Sequence, residues 1–313
     1  MSWRHYSLTI GLPQTNYRQL AEARLLMEAG NFFWWALGEV IGRPVSQLRT
    51  AAGEPLYAVV YFVEETFPED RLLSAFTLDD RLRFYVGLRA TSSLGVEAHV
   101  VFDQEDHFTN GLSSEVLDSG QPPHPTIRFG SVFATPEHNG TQLRLAQPSN
   151  ADLSLLEPIT PEENPSRLTR IAQASGHLGL IGEDWPPLDV DGSTMATYSI
   201  DPDRDTNSTG LVYFANFVAL LEIGERSAIP VRTRTGGTLD MGADLSGRHL
   251  LKRRIAYYVN AGLSDHVMIA VSRFAIPDHD DRVGLRYRLT RAKDSQLICL
   301  SEAVMKVSRF QRP

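Results

Sequence analysis

The feature that most constrains the fold is an order of elements that occurs twice along the chain. Residues 14–17 and 205–208 are polar segments, and each precedes a run with the apolar spacing of a helix. Further on, Leu78 and Leu263 each lie in an aspartate-containing turn between two strand-like runs. The two copies of each feature are separated by nearly the same number of residues, which predicts two similar units in one chain.

Each polar segment introduces a predicted helix. The first helix ends before Gly42 and Pro44, which are stop signals, and the second corresponds to residues 218–227. Strands are predicted where β-branched and aromatic residues are concentrated. These segments are residues 56–63, 81–89, 96–102, 126–133, 250–259, 267–276, 283–289 and 296–307. One helix against several antiparallel strands, repeated twice, predicts an α+β architecture.

The composition changes between the two predicted units. Residues 1–145 and 194–313 are predicted to be the units, and 146–193 the linker that joins them. Prolines interrupt any long element in the linker, and a short helix is predicted only at 166–174. They are Pro148, Pro158, Pro161, Pro165, Pro186 and Pro187.

Composition and charge restrict the class of protein. The net charge is −8 without a basic block, so we expect no nucleic-acid partner. No apolar run reaches the roughly 18 residues of a membrane helix, and the N-terminus lacks the apolar core of a signal peptide. Cys299 is the single cysteine, which excludes an intrachain disulfide. We expect a cytoplasmic protein with no membrane partner and no metal, and leave a homodimer open.

The segment 205–217 combines a polar loop, a glycine and an aromatic run ahead of the second helix. This order predicts polar side chains and free backbone N–H groups at a helix N-terminus, which can bind an anion or a polarised carbonyl oxygen. The alternative is an ordinary N-cap made by Asp205, Asn207 or Ser208. Gly210 permits a close backbone approach in either case.

Two tyrosines stand out in the predicted strand 56–63. Regular alternation places Tyr57, Val59, Tyr61 and Val63 on one face of that strand. Two phenols on one face are most simply core residues with hydrogen-bonded hydroxyl groups. The alternative is a tyrosine hydroxyl that points at a thioester.

Four longer stretches resemble a single family. Residues 29–37 (AGNFFWWAL), 53–61 (GEPLYAVVY), 76–82 (FTLDDRL) and 205–214 (DTNSTGLVYF) are similar to the double hot-dog acyltransferase/decarboxylases of polyketide biosynthesis. The resemblance covers both halves outside the linker. It implies two tandem hot-dog units, each an antiparallel sheet around a central helix, with a site where the two units pair.

The resemblance also implies an activity. Members of this family load methylmalonyl from coenzyme A, decarboxylate it and deliver propionyl to an acyl carrier protein. The coenzyme A thioester is then the substrate and the phosphopantetheine of the carrier protein the acceptor, with no permanently bound cofactor. Tyr61 and Asn207 match the catalytic positions. The substrate-binding residues expected beside them are Tyr57, Asn16, Thr206, Ser208, Gly210 and Tyr213.

Asparagine at position 207 favours decarboxylation over hydrolysis. The segment 205–217 also resembles hot-dog thioesterases of the hydroxybenzoyl-CoA type. Those enzymes have a catalytic carboxylate three residues before the glycine that corresponds to Gly210, where this chain has Asn207. A carboxylate activates water, whereas a malonyl-type substrate brings its own carboxylate. An aspartate about 4 Å from that group would cost roughly 4 kcal/mol at an effective dielectric of 20. The neutral amide removes this repulsion.

Two other functions remain open. A hot-dog dehydratase, isomerase or thioesterase would need a histidine or a carboxylate, and Asp205 is the residue that could supply it. A non-catalytic acyl-thioester or carrier-binding protein would need neither. Lys252, Arg253 and Arg254 could meet phosphate groups, but a solvated strand edge explains them more simply.

Overall fold

The chain forms two compact units, Met1–Leu168 and Thr169–Pro313. The computed structural model describes residues 3–16, 19–108, 123–137, 143–188, 193–207, 210–227, 231–232, 238–239, 248–263 and 265–307. The division between the units falls inside the segment 146–193, so each unit takes part of the predicted linker. The three-part division predicted from the sequence stays a prediction.

The first unit contains one long helix and an antiparallel sheet. Its elements are β1 (Trp3–Thr9), β2 (Thr15–Asn16), β3 (Gln19–Leu20), α1 (Glu22–Ile41), β4 (Tyr57–Thr66), β5 (Arg81–Ser92), β6 (Gly95–Gln104), β7 (Thr126–Pro136), β8 (Leu143–Leu145) and the start of α2 (Pro165–Ser175). Single 3₁₀ turns occupy Leu12–Gln14, Val45–Gln47, Leu73–Ala75, Glu105–His107 and Leu153–Leu155. The strand order is β1-β5-β6-β7-β4, with β8 on β7 and a separate β2–β3 hairpin.

Aromatic side chains fix α1 on one face of this sheet. Phe32 packs on Phe84 of β5 with ring centroids 4.9 Å apart, and Phe33 lies 6.1 Å from Phe129 of β7. Burial of each such side chain contributes about 1.5–3 kcal/mol. The helix ends at Gly42, whose φ of 70° is left-handed, as the stop signals predicted. We call the face of a sheet that points away from its long helix the outer face.

The second unit repeats this arrangement. After α2 it contains β9 (Thr194–Ser199), α3 (Pro202–Asp205), α4 (Asn216–Ser227), β10 (Val231–Arg232), β11 (Thr238–Leu239), β12 (Arg248–Tyr257), β13 (His266–Ile276), β14 (His279–Arg291) and β15 (Leu297–Val307). The strand order is β9-β13-β14-β15-β12, and β10 pairs with β11 in a separate sheet. A Cβ on Gly224 of α4 would lie 2.6 Å from Ile269 and 2.8 Å from Val271, so this glycine lets the helix approach β13 closely.

The two units therefore share one topology. In each, the first strand lies at the edge of the main sheet and a long helix comes later in the chain. The first strand of the main sheet after that helix, β4 or β12, lies at the far end of the order. The predicted strands, both long helices and the short helix at 166–174 are confirmed, with ends shifted by a few residues. The edge strands β1 and β9 were not predicted, because both are rich in polar residues and partly exposed along their length.

Candidate active site

A tight turn lies ahead of α4. Thr206 and Val212 pair as an antiparallel bridge, and the N–H of Asn207 donates to the carbonyl of Leu211 at 2.9 Å. The N–H of Gly210 donates to the carbonyl of Asn207, also at 2.9 Å. Gly210 has a φ of 74°, which glycine adopts without strain. Asn207 is exposed.

The sequence predicted that this segment forms the N-terminus of a helix, but the structure shows a separate turn. The helix α4 begins at Asn216, and residues 213–215 separate it from the turn. The N–H groups of Asn207 and Gly210 are bonded within the turn, so they are not free helix-terminal donors. The prediction was wrong in this respect because the polar residues close their own turn instead of capping the helix. The catalytic role of Asn207 stays a prediction and must depend on its side chain.

The buried carboxylate of Asp205 is engaged in the scaffold. Its Oδ2 accepts hydrogen bonds from the Tyr198 hydroxyl and from the N–H of Asp201, both at 2.8 Å. Its Oδ1 lies 3.1 Å from Nε of Arg204. The Asp205 carbonyl also accepts the N–H of Tyr213 at 3.0 Å. These contacts join β9, α3 and the turn, and they leave this carboxylate poorly placed to act as a base.

Side-chain amides hold the turn in place. The side chain of Asn260 accepts the N–H of Val212 at 3.0 Å and donates to the Val212 carbonyl at 3.2 Å. Asn216 donates to the carbonyls of Arg204 and Asp205 at 3.1 and 3.0 Å. One small loop therefore brings together four residues expected at the substrate. They are Thr206, Asn207, Gly210 and Tyr213.

Tyr61 lies in a β-bulge of β4. The pairing of β4 with β7 steps from Val60 opposite Ser131 to Phe62 opposite Gly130, so Tyr61 is the extra residue. Such bulges redirect side chains. The ring of Tyr61 lies against Gly130 on the outer face of the sheet.

The bulge overturns one expectation about this strand. Val63 pairs with Phe129, whose ring packs on α1, whereas Tyr57 pairs with Ala134. Phe129 and Ala134 are an odd number of residues apart and so point to opposite faces. Tyr57 therefore shares the outer face with Tyr61, but Val63 does not. Regular alternation failed because the bulge inserts one residue.

The surroundings of Tyr61 keep its hydroxyl protonated. Burial raises the pKa of Tyr61 well above its usual value, and the charge of Glu97 raises it further. The charge of Arg128 and the backbone N–H of Ser166, which donates to the Tyr61 oxygen, oppose this rise without cancelling it. A protonated phenol is a weak nucleophile but a suitable hydrogen-bond donor.

Glu97 anchors a charged cluster beside Tyr61. Its fully buried carboxylate lies 2.7 Å from Arg89, 2.6 Å from Nε2 of His99 and 2.6 Å from Nε of Arg128. Burial alone would raise the pKa of Glu97, but the hydrogen bond with His99 and the charges of His99 and Arg128 lower it to about 2. Glu97 is therefore ionised and holds Arg128 in one position.

The remaining expected residues are placed as follows. Asn16 is exposed and pairs with Gln19 in the hairpin before α1. Tyr57 is partly exposed at the start of β4. Ser208 lies outside the described residues.

A second buried polar group lies on the helix face of the second unit. The Tyr287 hydroxyl donates to Oε1 of Glu225, and a guanidinium nitrogen of Arg253 lies 3.8 Å from the same oxygen. None of the three residues is more than 1% exposed. The expectation that Arg253 belongs to a solvated strand edge was therefore wrong, because β12 turns this side chain toward α4.

Sequence reasoning missed Glu97, Arg128 and Gly130, although the sequence carried signals for two of them. Glu97 is a charged residue in a mostly apolar strand, and such a residue needs a partner when buried. Gly130 is a glycine inside a strand, which often marks a bulge or a close approach. No local signal connected either residue with Tyr61.

No protein-family model and no curated protein matches the sequence. Three solved structures are similar in fold over nearly all of both chains. A putative oleoyl thioesterase from Lactobacillus plantarum has a TM-score of 0.64 and 11% identity, covering 98% of this chain and 96% of its own. A 12:0-ACP thioesterase from Umbellularia californica has a TM-score of 0.59 and 9% identity, covering 98% of each chain. An acyl-ACP thioesterase from Bacteroides thetaiotaomicron has a TM-score of 0.58 and 11% identity, covering 97% and 98%.

These likenesses, together with the repeated topology, define the fold as a double hot dog. Within the described residues, no helix is both long and apolar enough to cross a bilayer. In the same part of the chain, no three side chains of histidine, cysteine, aspartate or glutamate converge as metal ligands.

Proposed function

We propose that this chain is an enzyme that acts on acyl thioesters. The double hot-dog fold supports this, since the three similar structures are named as thioesterases, two of them for acyl-ACP. Their identity to this chain is 9–11%, so the reaction has to be argued from this chain's own residues.

Within that class, we propose an acyltransferase/decarboxylase of malonyl- or methylmalonyl-type thioesters. The observation that carries this proposal is the chemistry of the turn before α4. Its one carboxylate, Asp205, is buried and hydrogen-bonded to Tyr198, Asp201 and Arg204. Asn207, which is neutral, is an exposed polar residue of the described part of the turn. A neutral donor suits a substrate that carries its own carboxylate.

The reaction can be written with these groups. The bond between the α-carbon and the substrate carboxylate breaks, CO₂ leaves, and the electron pair passes into the thioester as an enolate. The side chain of Asn207 or of Tyr61 donates a hydrogen bond to the substrate, and a proton from water then reaches the α-carbon. The thiol of carrier phosphopantetheine attacks the thioester carbonyl, and the thiol of coenzyme A departs.

Hydrolysis is the second candidate. The names of the three similar structures favour it. A thioesterase would need a group to activate water, and Asp205 could do so only by giving up its contacts with Tyr198 and Asp201.

The test is intact-mass analysis of a carrier protein incubated with this chain and a panel of acyl-CoA thioesters. The proposal expects the carrier to gain a decarboxylated acyl group only from malonyl-type donors. Release of free acid without carrier acylation would favour the thioesterase. Binding of acyl-CoA without any product would leave a non-catalytic binding protein.

A further inference from the structure

The surroundings of Tyr61 are more specialised than a core tyrosine requires. A Cβ placed on Gly130 would lie 2.9 Å from Cζ of Tyr61 and 3.0 Å from its oxygen. The same Cβ would lie 3.0 Å from Cγ of Pro165, the first residue of α2. The phenol thus lies in a slot with Gly130 as its floor and the start of α2 beside it. Any side chain at position 130 would push the ring out.

The hydroxyl in this slot is held from the side of α2. The backbone N–H of Ser166 donates to the Tyr61 oxygen. Because the phenol stays protonated in these surroundings, its proton can serve a substrate oxygen.

The charge beside the phenol is fixed in place. Nε of Arg128 donates to Glu97 at 2.6 Å, a second guanidinium nitrogen pairs with the same carboxylate, and a third lies 3.9 Å from Glu64. Arg128 also donates to the carbonyl of Glu163, just ahead of α2. Arg128 thereby joins three strands to the segment that forms the slot, with Arg89 and His99 as the other charged or titratable neighbours of Glu97.

We propose that Gly130 and Arg128, both on β7, are positioning residues for the Tyr61 hydroxyl, Gly130 by providing the slot and Arg128 by holding it closed. This inference rests on the proposed function, because it assumes that Tyr61 donates to the thioester substrate. The bulge in β4 and Gly130 opposite it then act together to set the position of the phenol. Misplacing a donor by about 1 Å can cost on the order of 100-fold in rate.

The first experiment compares two glycine variants. Gly130→Ala should lower kcat by about 10- to 100-fold with a smaller change in KM. Gly284→Ala is the matched control, since its Cβ would meet Ile181 at 2.7 Å and Trp185 at 3.0 Å on the outer face of the second unit, where no tyrosine lies in the slot. The control should lose stability similarly but keep its kcat. Equal kcat in the two variants would overturn the proposal.

A double-mutant cycle separates positioning from general damage. Gly130→Ala made in a Tyr61→Phe background should cause little further loss of kcat, because the hydroxyl is already absent. Independent, additive losses would contradict the positioning role. Wild-type activity in Tyr61→Phe alone would instead remove Tyr61 from the reaction, which is a failure of its proposed catalytic role.

Arg128 provides a second test that does not depend on the folding of Gly130→Ala. Arg128→Lys keeps the charge and Arg128→Gln removes it. We expect Arg128→Gln to lower kcat by about tenfold and Arg128→Lys to restore part of that loss. Both effects should vanish in the Tyr61→Phe background. Losses that persist there would show that Arg128 acts only on the fold, and would overturn its assignment.

Discussion

The outer faces of the two units have the same backbone plan but different chemistry. In the first unit, the buried Glu97 binds side chains of the sheet itself, Arg89, His99 and Arg128. In the second unit, the buried Glu302 binds Arg286 and the backbone N–H groups of residues 180 and 181. Glu97 thus orders a charged cluster beside Tyr61, whereas Glu302 binds the backbone of the segment that contains residues 180 and 181.

The glycines of the two outer faces differ in the same way. Gly130 makes room for the phenol of Tyr61, whereas Gly284 makes room for Ile181 and Trp185. The close approach at Gly130 thus accommodates a side chain with a hydroxyl group, whereas the close approach at Gly284 accommodates apolar packing. The comparison shows that two units with one topology can use the same face of the sheet for different contacts.

The largest expected effect concerns the turn that contains Asn207. Asn207→Asp should lower the rate of decarboxylation, because it places a second negative charge near the substrate carboxylate. The cost ranges from about 1 kcal/mol in water to about 4 kcal/mol at an effective dielectric of 20, up to about a thousandfold in rate. Asn31→Asp makes the same change at an exposed position of α1, outside the expected site, and is the control. Equal rates of CO₂ release in both variants would show that position 207 carries no electrostatic role.

The charged cluster predicts a pH dependence of stability. The pKa of Glu97 is lowered from 4.5 to about 2 in the folded chain, so its contribution is present above pH 4.5 and is lost as the pH falls toward 2. That contribution is on the order of 3 kcal/mol. Urea unfolding of the wild type should weaken across this window, and that of Glu97→Gln should weaken less. Parallel curves for the two proteins would contradict this account of the cluster.

Removing the hydroxyl groups of two partly buried tyrosines, Tyr61 and Tyr258, separates their roles. Tyr61→Phe should raise the activation free energy of acyl transfer by about 1–3 kcal/mol. In the wild type, no acylated Tyr61 peptide should be found when carrier protein is withheld. Tyr258→Phe is the control, since its hydroxyl donates to the Thr169 carbonyl at 3.0 Å. Complete loss of transfer together with an acyl-tyrosine peptide would instead establish Tyr61 as a nucleophile.

The smallest expected effect concerns the second outer face. Glu302→Gln should lower the free energy of unfolding by about 1–2 kcal/mol, because Arg286 loses its charged partner, while kcat stays unchanged. Glu183→Gln changes a carboxylate that is 89% exposed and should alter stability by no more than about 0.5 kcal/mol. A fall in kcat for Glu302→Gln without a loss of stability would break the contrast between the faces.

Much of the fold was accessible from the sequence, because apolar alternation and helical spacing report local structure directly. The two longest strands that were missed, β1 and β9, lie at sheet edges, where partly exposed polar residues hide the alternation. The bulge at Tyr61 was also hidden, because period-two reasoning assumes unbroken pairing with β7.

The candidate site was less accessible, because its contacts join distant positions. Nothing near Tyr61 in the sequence indicates that Gly130 leaves room for its ring or that Ser166 donates to its oxygen. The turn at Asn207 was read as a helix start because the same polar residues favour both structures. Only the hydrogen bonds of Asn207 and Gly210 within the turn distinguish them.

The central claim is that this double hot dog decarboxylates an acyl thioester and transfers the product. The most direct measurement uses methylmalonyl-CoA labelled with ¹³C in its free carboxylate, together with a carrier protein bearing phosphopantetheine. If the proposed reaction occurs, the label leaves as CO₂ while the carrier gains the mass of a propionyl group. Recovery of the label in free methylmalonate, with the carrier unmodified, would instead establish hydrolysis.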